Sequence, residues 1–399
     1  MTRDNDSIWP RMPMLLTLWL LMFTASSQFL IVAPILKDIG EALDIAQSVR
    51  GTLITGYAVA LATFALVAGP ISDRFGRRII LRVGTACLAI ALLLHSLAFD
   101  FASLLALRIL AGSASGMMSG AAVAYIGDVM TYRLRGRALG VIMSGMAFGQ
   151  ILGIPGGKVL ASYGTFVTPF VVLGVVMLVA SVLTWVVLEA PPAREAEPLT
   201  LRSAIGNYRE ILSQRPLAIL TVASATMMLS VSAFITYQPT WLEEELGATD
   251  WHIATLFAVG GIANAGSGPI AGYLSDIVGR KPMVVGASIF LGIGFLVMVT
   301  VPNIYWAYPV MFFTMLAVGA RMGPLNAWMT ALVSSNRRGS LMSLTMAAGQ
   351  AGFALGSAGA GLSYTRLGFL GNAIFATMGA LVTAGLLLSG VPEPTGDAL

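Results

Sequence analysis

Gly69-Pro70-Ile71-Ser72-Asp73-Arg74-Phe75-Gly76-Arg77-Arg78 returns later in the chain, loosened, as Gly272-Tyr273-Leu274-Ser275-Asp276-Ile277-Val278-Gly279-Arg280-Lys281. Asp276 follows Asp73 by 203 positions, and each copy lies between two long apolar segments. A polar loop repeated at one register in two halves of a chain marks an internal duplication, two similar bundles joined in tandem.

The flanking composition says what medium those bundles occupy. Hydrophobic residues make up 57% of the chain and charged residues 11%, against roughly 25% charged in a soluble domain. Apolar runs of about 20 residues, each able to cross a hydrocarbon core of roughly 30 Å as a helix, fall from 12–35 to 165–188 and again from 217–241 to 368–390. The reading is all-α and integral to the membrane: twelve transmembrane helices in two pseudo-symmetric six-helix bundles. An N-terminal bundle spans 1–188 and a C-terminal bundle 217–399. A cytoplasmic linker over 189–216, rich in proline and charge, joins them. The first span is too long for a cleavable leader, so the N-terminus is expected to be retained. The lone Cys87 excludes an internal disulfide.

Orientation follows from the basic residues, because cytoplasmic loops keep Lys and Arg. With the N-terminus inside, most of the 23 Lys and Arg fall on one side. Lys37, Arg50 and Arg366 fall on the other, beside the acidic cluster Glu243, Glu244, Glu245 and Asp250. Both termini are therefore expected in the cytoplasm. The net charge of +4 reflects this bias rather than an affinity for nucleic acid.

Within the first copy, Gly69 and Gly76 suit close helix approach and a tight turn. Asp73 ends one helix and Arg77 begins the next, so the two are expected to pair across the loop as a latch. Asp128, at the inner end of the fourth helix, is a candidate third member. A charge pair that must separate as two bundles rock supplies a two-state element.

These residues resemble the loop motif of the major facilitator superfamily, G-x-x-x-D-R-x-G-R-R. The first half matches it fully; in the second, Ile277 replaces the first Arg while Gly272, Asp276, Gly279, Arg280 and Lys281 stand in place. The resemblance implies a transporter rather than an enzyme, working by alternating access around a central cavity lined by helices one, four, seven and ten. It also implies a monomer with no cofactor. Arg108-x-x-x-Gly112-x-x-x-Gly116 is similar to the family's buried-arginine motif, and an intramembrane Arg is functional by default. The fifth helix carries Gly140, Gly149, Gly153, Pro155, Gly156 and Gly157, similar to the motif of the family's drug/proton antiporters. It departs from that pattern because Ile154 separates Gly153 from Pro155. Its glycines are expected to let the helix bend and pack tightly at the bundle interface.

A census of ionisable groups narrows the chemistry. No acidic residue falls near the middle of a predicted span, whereas Arg108, Lys158 and Arg321 are internal. Arg321 is read as facing the cavity, and Lys158 as snorkelling to the outer interface. Arg108 either faces the cavity or is held structurally by helix carbonyls. Gln28, Tyr125, Tyr237, Gln238, Asn326 and Trp328 complete the candidate lining. Unpaired arginines in a cavity suit a small-molecule substrate that is anionic or amphiphilic, lipid-like ones included, because the planar guanidinium matches carboxylate and phosphate. The leading expectation is export of small organic molecules from a bacterial inner membrane with the proton as coupling ion, using a rim carboxylate such as Asp128 or Asp38. The alternative is carriage of organic anions without a buried proton carrier. Membrane lipid is the expected surroundings. No phosphate loop, metal-ligand cluster or catalytic nucleophile signature appears.

Overall fold

The computed structural model describes residues 8–190, 201–333 and 338–391; the side chains of Pro70, Asp73, Tyr132 and residues 201–204 lie outside that description. The first half contains α1 (Met12–Leu30), α2 (Thr52–Phe75), α3 (Arg77–Leu94) and α4 (Phe101–Val129). Helix α5 runs as Tyr132–Phe148, a π turn at Gly149–Gly153 and then Ile154–Tyr163, and α6 spans Thr168–Val187. The second half contains α7 (Arg215–Ile235), α8 (Asp250–Val278), α9 (Arg280–Val299) and α10 (Ile304–Ala331). The last continuous helix, Arg338–Gly390, breaks at Gly368 (φ 62°, ψ −158°) into α11 (338–367) and α12 (369–390). The described residues thus make twelve crossings.

Local chemistry explains where several of these helices begin. The Asp100 carboxylate accepts a 2.8 Å hydrogen bond from the Ser103 N–H at the start of α4 while the Ser103 hydroxyl bonds back, a capping box. Thr249 and His252 form the same device at α8, and Asn303 caps α10 by accepting from Tyr305 and Trp306. Gly76 (φ 91°, ψ 132°) and Gly279 (φ 101°, ψ 148°) carry the two motif loops. Both occupy a backbone region that only glycine enters without strain.

Packing divides the helices into α1–α6 and α7–α12, with α4 against α2 and α3, and α10 against α8 and α9. The duplication reaches individual contacts. Gly116 of α4 lies against the Leu61 backbone of α2, and Gly319 of α10 lies against the Asn264 backbone of α8, each member displaced by 203 positions. The bundles meet along two seams, α2 with α11 and α5 with α8.

Three expectations about packing change. The glycine face of α5 does not make the seam between bundles. Gly149, Gly153 and Gly157 lie against Phe23, Ser27 and Ile31 of α1, inside the first bundle. The seam with α8 is made instead by Gln150 and Ile151 against Gly261, and by a 2.8 Å bond from Asn264 to Gln150. Gly69, Gly140, Gly156 and Gly272 have open space where a Cβ would stand, so they make no close helix contact in this conformation. The 189–216 linker is partly helical, over Leu201–Ser213. Its Ile211 is buried among Leu217 and Leu220, and the Tyr208 hydroxyl donates to the Leu66 carbonyl of α2.

Substituting Ala at Gly76 should destabilise the purified protein by about 1–3 kcal/mol, because Cβ is strained at that backbone angle. Gly69→Ala, made into open space, should leave the melting temperature in detergent unchanged. Equal melting temperatures for the two variants would contradict this assignment of the turn.

Candidate functional site

With an even number of crossings, the described chain ends and the linker share one face of the molecule, the terminal face; the opposite face is the far face. At the terminal face Arg77 begins α3 and reaches Asp128 at the end of α4 at 2.6 Å, while donating to the Ala124 carbonyl at 2.6 Å. The Asp73 side chain, and with it the expected pairing to Arg77, lies outside the described residues. In the second copy Arg280 donates to the Ala327 carbonyl at 3.0 Å, the counterpart of Ala124. Ala331 stands where the first half has Asp128, and the exposed Asp276 has no partner among the described residues. Lys281 binds the carbonyls of Leu388 and Val391. Arg74 is exposed over the Phe75 ring, and Arg78 is half-buried. The two halves thus share a backbone clamp but not an ion pair.

Inside the first bundle, Arg108 and Gln28 come together with Ser115, on the same polar face of α4 as Arg108, and with Tyr57, which the sequence did not single out. Arg108, completely buried, donates to the Gln28 side-chain oxygen at 3.0 Å, the Gln28 carbonyl at 3.1 Å and the Phe29 carbonyl at 3.3 Å. Its guanidinium lies 4.5 Å from the centre of the Tyr57 ring. The Gln28 amide donates to the Tyr57 hydroxyl at 2.6 Å and to Ser115 at 3.4 Å. Arg108 therefore takes the structural role in this conformation, held by carbonyls and an aromatic face.

The second bundle treats its arginine differently. Arg321 is also completely buried, yet Nε, Nη1 and Nη2 have no hydrogen-bond partner among the described residues. Leu325 and Trp328, on the same face of α10, belong to the core formed with Leu217, Leu220, Val284 and Leu341. The expected cavity-facing stripe is thus turned into its own bundle, and Trp328 is core. Asn326 is exposed. Tyr125 is not a lining residue either: its hydroxyl binds the Glu189 carbonyl at 2.8 Å and anchors the start of the linker.

Polar ties between the bundles gather at mid-depth and on the far face. The Tyr237 hydroxyl donates to the Gln47 carbonyl at 2.5 Å and accepts from the Gly51 N–H at 3.1 Å. Thr55 bonds Ala354 and Ser357, and the rings of Phe29 and Phe353 lie 5.0 Å apart across the seam. Gln238 is buried beside the Met311 sulfur. Lys158, expected to snorkel to the outer interface, is instead 1% exposed and surrounded by acids from both halves. It meets Asp38 at 3.1 Å, Glu243 at 3.0 Å and Asp250 at 2.8 Å. The sequence signal that could have revealed this is a lysine at the far end of a membrane helix together with carboxylates in two loops of the same face. Among the described residues no group of His, Cys, Asp and Glu is arranged to hold a metal ion.

Comparison with known proteins adds an independent line. The family model described as Major Facilitator Superfamily matches residues 18–357 and again 242–398. An MFS-type transporter of Bacillus subtilis, YceJ, is 27% identical over 350 residues, 87% of this chain and 89% of that protein. The chromaffin granule amine transporter of Rattus norvegicus is 24% identical over 306 residues, 75% of this chain; the match spans 58% of that longer protein. Among solved structures, a D-xylose–proton symporter superimposes with a TM-score of 0.78 at 16% identity, covering 98% of this chain and all of that one.

If Gln28 and Arg108 form one buried unit, Gln28→Leu should lower stability by about 1–3 kcal/mol by stripping a hydrogen bond from a buried charge. The double variant Gln28→Leu/Arg108→Met should melt above the Gln28→Leu single variant, because an apolar pair tolerates burial better than an orphaned cation. A double variant that melts no higher would separate the two residues.

Proposed function

The chain belongs to the major facilitator superfamily and is a membrane transporter; from that premise we propose that it is an alternating-access exporter of small organic molecules, driven by protons across a bacterial inner membrane. The basic residues gathered on the terminal face support placing that face, and both termini, in the cytoplasm. In that orientation the far face is the outer one. The ties closing it, and the open space beside Gly69 and Gly272, support an inward-facing state.

The observation that carries the export reading is the construction of α5. Its glycines seat it against α1 while a π turn at Gly149–Gly153 lies where Gln150 touches α8. A π turn holds one residue more than an α turn and marks a functional site more often than chance. Here it sits on the seam that must slide as the bundles rock, in the helix that resembles the antiporter motif. The chain's likeness to an amine transporter agrees with organic substrates of modest size.

Arg321 favours a second reading, carriage of organic anions or amphiphiles. A guanidinium buried without a partner is costly. A carboxylate or phosphate arriving in another conformation would satisfy its planar fork of donors.

Flux into proteoliposomes under an imposed pH gradient, with cationic and anionic fluorescent probes in parallel, tests both readings. Proton-coupled export predicts probe movement that follows the pH gradient and collapses with a protonophore. Movement that ignores the pH gradient and follows membrane potential for anions alone would replace it with the second reading. In that case Arg321→Ala should cut anion flux at least about tenfold, the loss of roughly one charge-assisted hydrogen bond.

A further inference from the structure

We propose that Lys158 and the carboxylates of Asp38, Glu243 and Asp250 form a proton-operated latch, which holds the far face shut and releases it when those carboxylates take up protons from that side. The proposal rests on the transporter reading and its orientation, but not on substrate or direction.

The geometry is that of a bolt across a seam. Lys158 comes from α5 and Asp38 from the short helix Leu36–Ala42, both in the first bundle. Glu243 comes from the short helix Gln238–Leu246, and Asp250 opens α8, both in the second. One buried ammonium therefore binds carboxylates of both bundles at once, and the bundles cannot part on this face without breaking two of its three ion pairs. Two of the acids are open to water, the Asp38 side chain being 39% exposed and Asp250 47%, against 14% for Glu243 and 1% for Lys158.

The surrounding charges make the balance of signs unequal. Lys37 reaches Glu243 at 3.6 Å. Arg50 is engaged by the Ile45 carbonyl, Tyr364 of α11 donates to Glu244, and His252 closes the α8 cap with Thr249. Glu41, Asp44, Glu245 and Arg366 lie on this face too, with Asp100 engaged in the α4 cap and the buried His95 bonded to the Ala91 carbonyl. Three carboxylates against Lys158 and Lys37 hold together while ionised. A proton added to each carboxylate converts COO⁻ to COOH and leaves the Lys158 charge buried without its counter-charge, which opening relieves by admitting water. Acid outside thus opens the latch, and neutral pH closes it.

The test uses the full-length protein in right-side-out vesicles with Cys87→Ser as background. Thr55→Cys places a reporter behind the far-face contacts, where Thr55 now bonds Ala354 and Ser357. Its labelling rate by a membrane-impermeant thiol reagent is divided by that of Tyr163→Cys, at a 90% exposed position, which removes the pH dependence of the thiol chemistry itself. The ratio should rise about fivefold or more as external pH falls from about 7 to about 3.5, through the ordinary carboxylate range. Glu243→Gln/Asp250→Asn should give a high ratio at every pH. Lys158→Gln should invert the profile, open at neutral pH through carboxylate repulsion and closing in acid, while Lys158→Arg restores the original sign. A ratio that stays flat with pH in the unaltered latch overturns the proposal, as does a Lys158→Gln profile that keeps the original sign. Because the unaltered latch is read in its own right, its pH profile decides the matter even where a variant fails to fold. Labelling needs no transported substrate, so failure here is separate from failure of the export reading.

Discussion

A charge inside hydrocarbon has no water to fall back on, and this protein is organised around where each such charge finds its counterpart. Four cations illustrate four solutions. Arg77 takes a carboxylate and a carbonyl at the terminal face. Arg108 takes carbonyls, an amide oxygen and the face of Tyr57 within one bundle. Lys158 takes carboxylates from both bundles at once. Arg321 takes nothing among the described residues. The first two make a bundle rigid, the third joins the bundles, and the fourth leaves a demand unmet.

Alternating access needs that mixture. Rocking requires two bodies that keep their shape and a seam that does not. The bodies are held by close backbone contact through glycine, Gly116 on Leu61 and Gly319 on Asn264, where dispersion over a tight interface replaces the hydrophobic effect that lipid cannot supply. The seams carry polar ties among their contacts: Thr55 with Ala354 and Ser357, Asn264 with Gln150, Lys158 with its acids. Such contacts can be exchanged for water as the far face opens, which packed methyl groups would resist.

Pseudo-symmetry is strict in backbone and loose in charge. Gly76 and Gly279 make the same turn, and Arg77 and Arg280 clamp equivalent carbonyls at Ala124 and Ala327. Yet Asp128 faces Ala331 in the second half, and Met118 stands where the second half has Arg321. Geometry duplicated by descent is retained because it makes the fold. Charges are free to diverge because each bundle meets the seams in its own way.

The residue string by itself determined the membrane class, the twelve crossings, the duplication, and a turn at each motif glycine. These follow from run length and from local backbone chemistry, which a single segment carries whole. It also carried the Arg77–Asp128 neighbourhood, because helices joined by a short loop must start and end together. What it could not carry was the facing of side chains across elements distant in the chain. Helical phase groups Arg321, Leu325 and Trp328 on one stripe, but only the packing of α10 with α7, α9 and α11 turned that stripe inward. Lys158 looked like a lipid-interface residue because its partners lie in two loops far along the sequence. Only the closure of one bundle on the other brings Asp38, Glu243 and Asp250 within reach of a single ammonium.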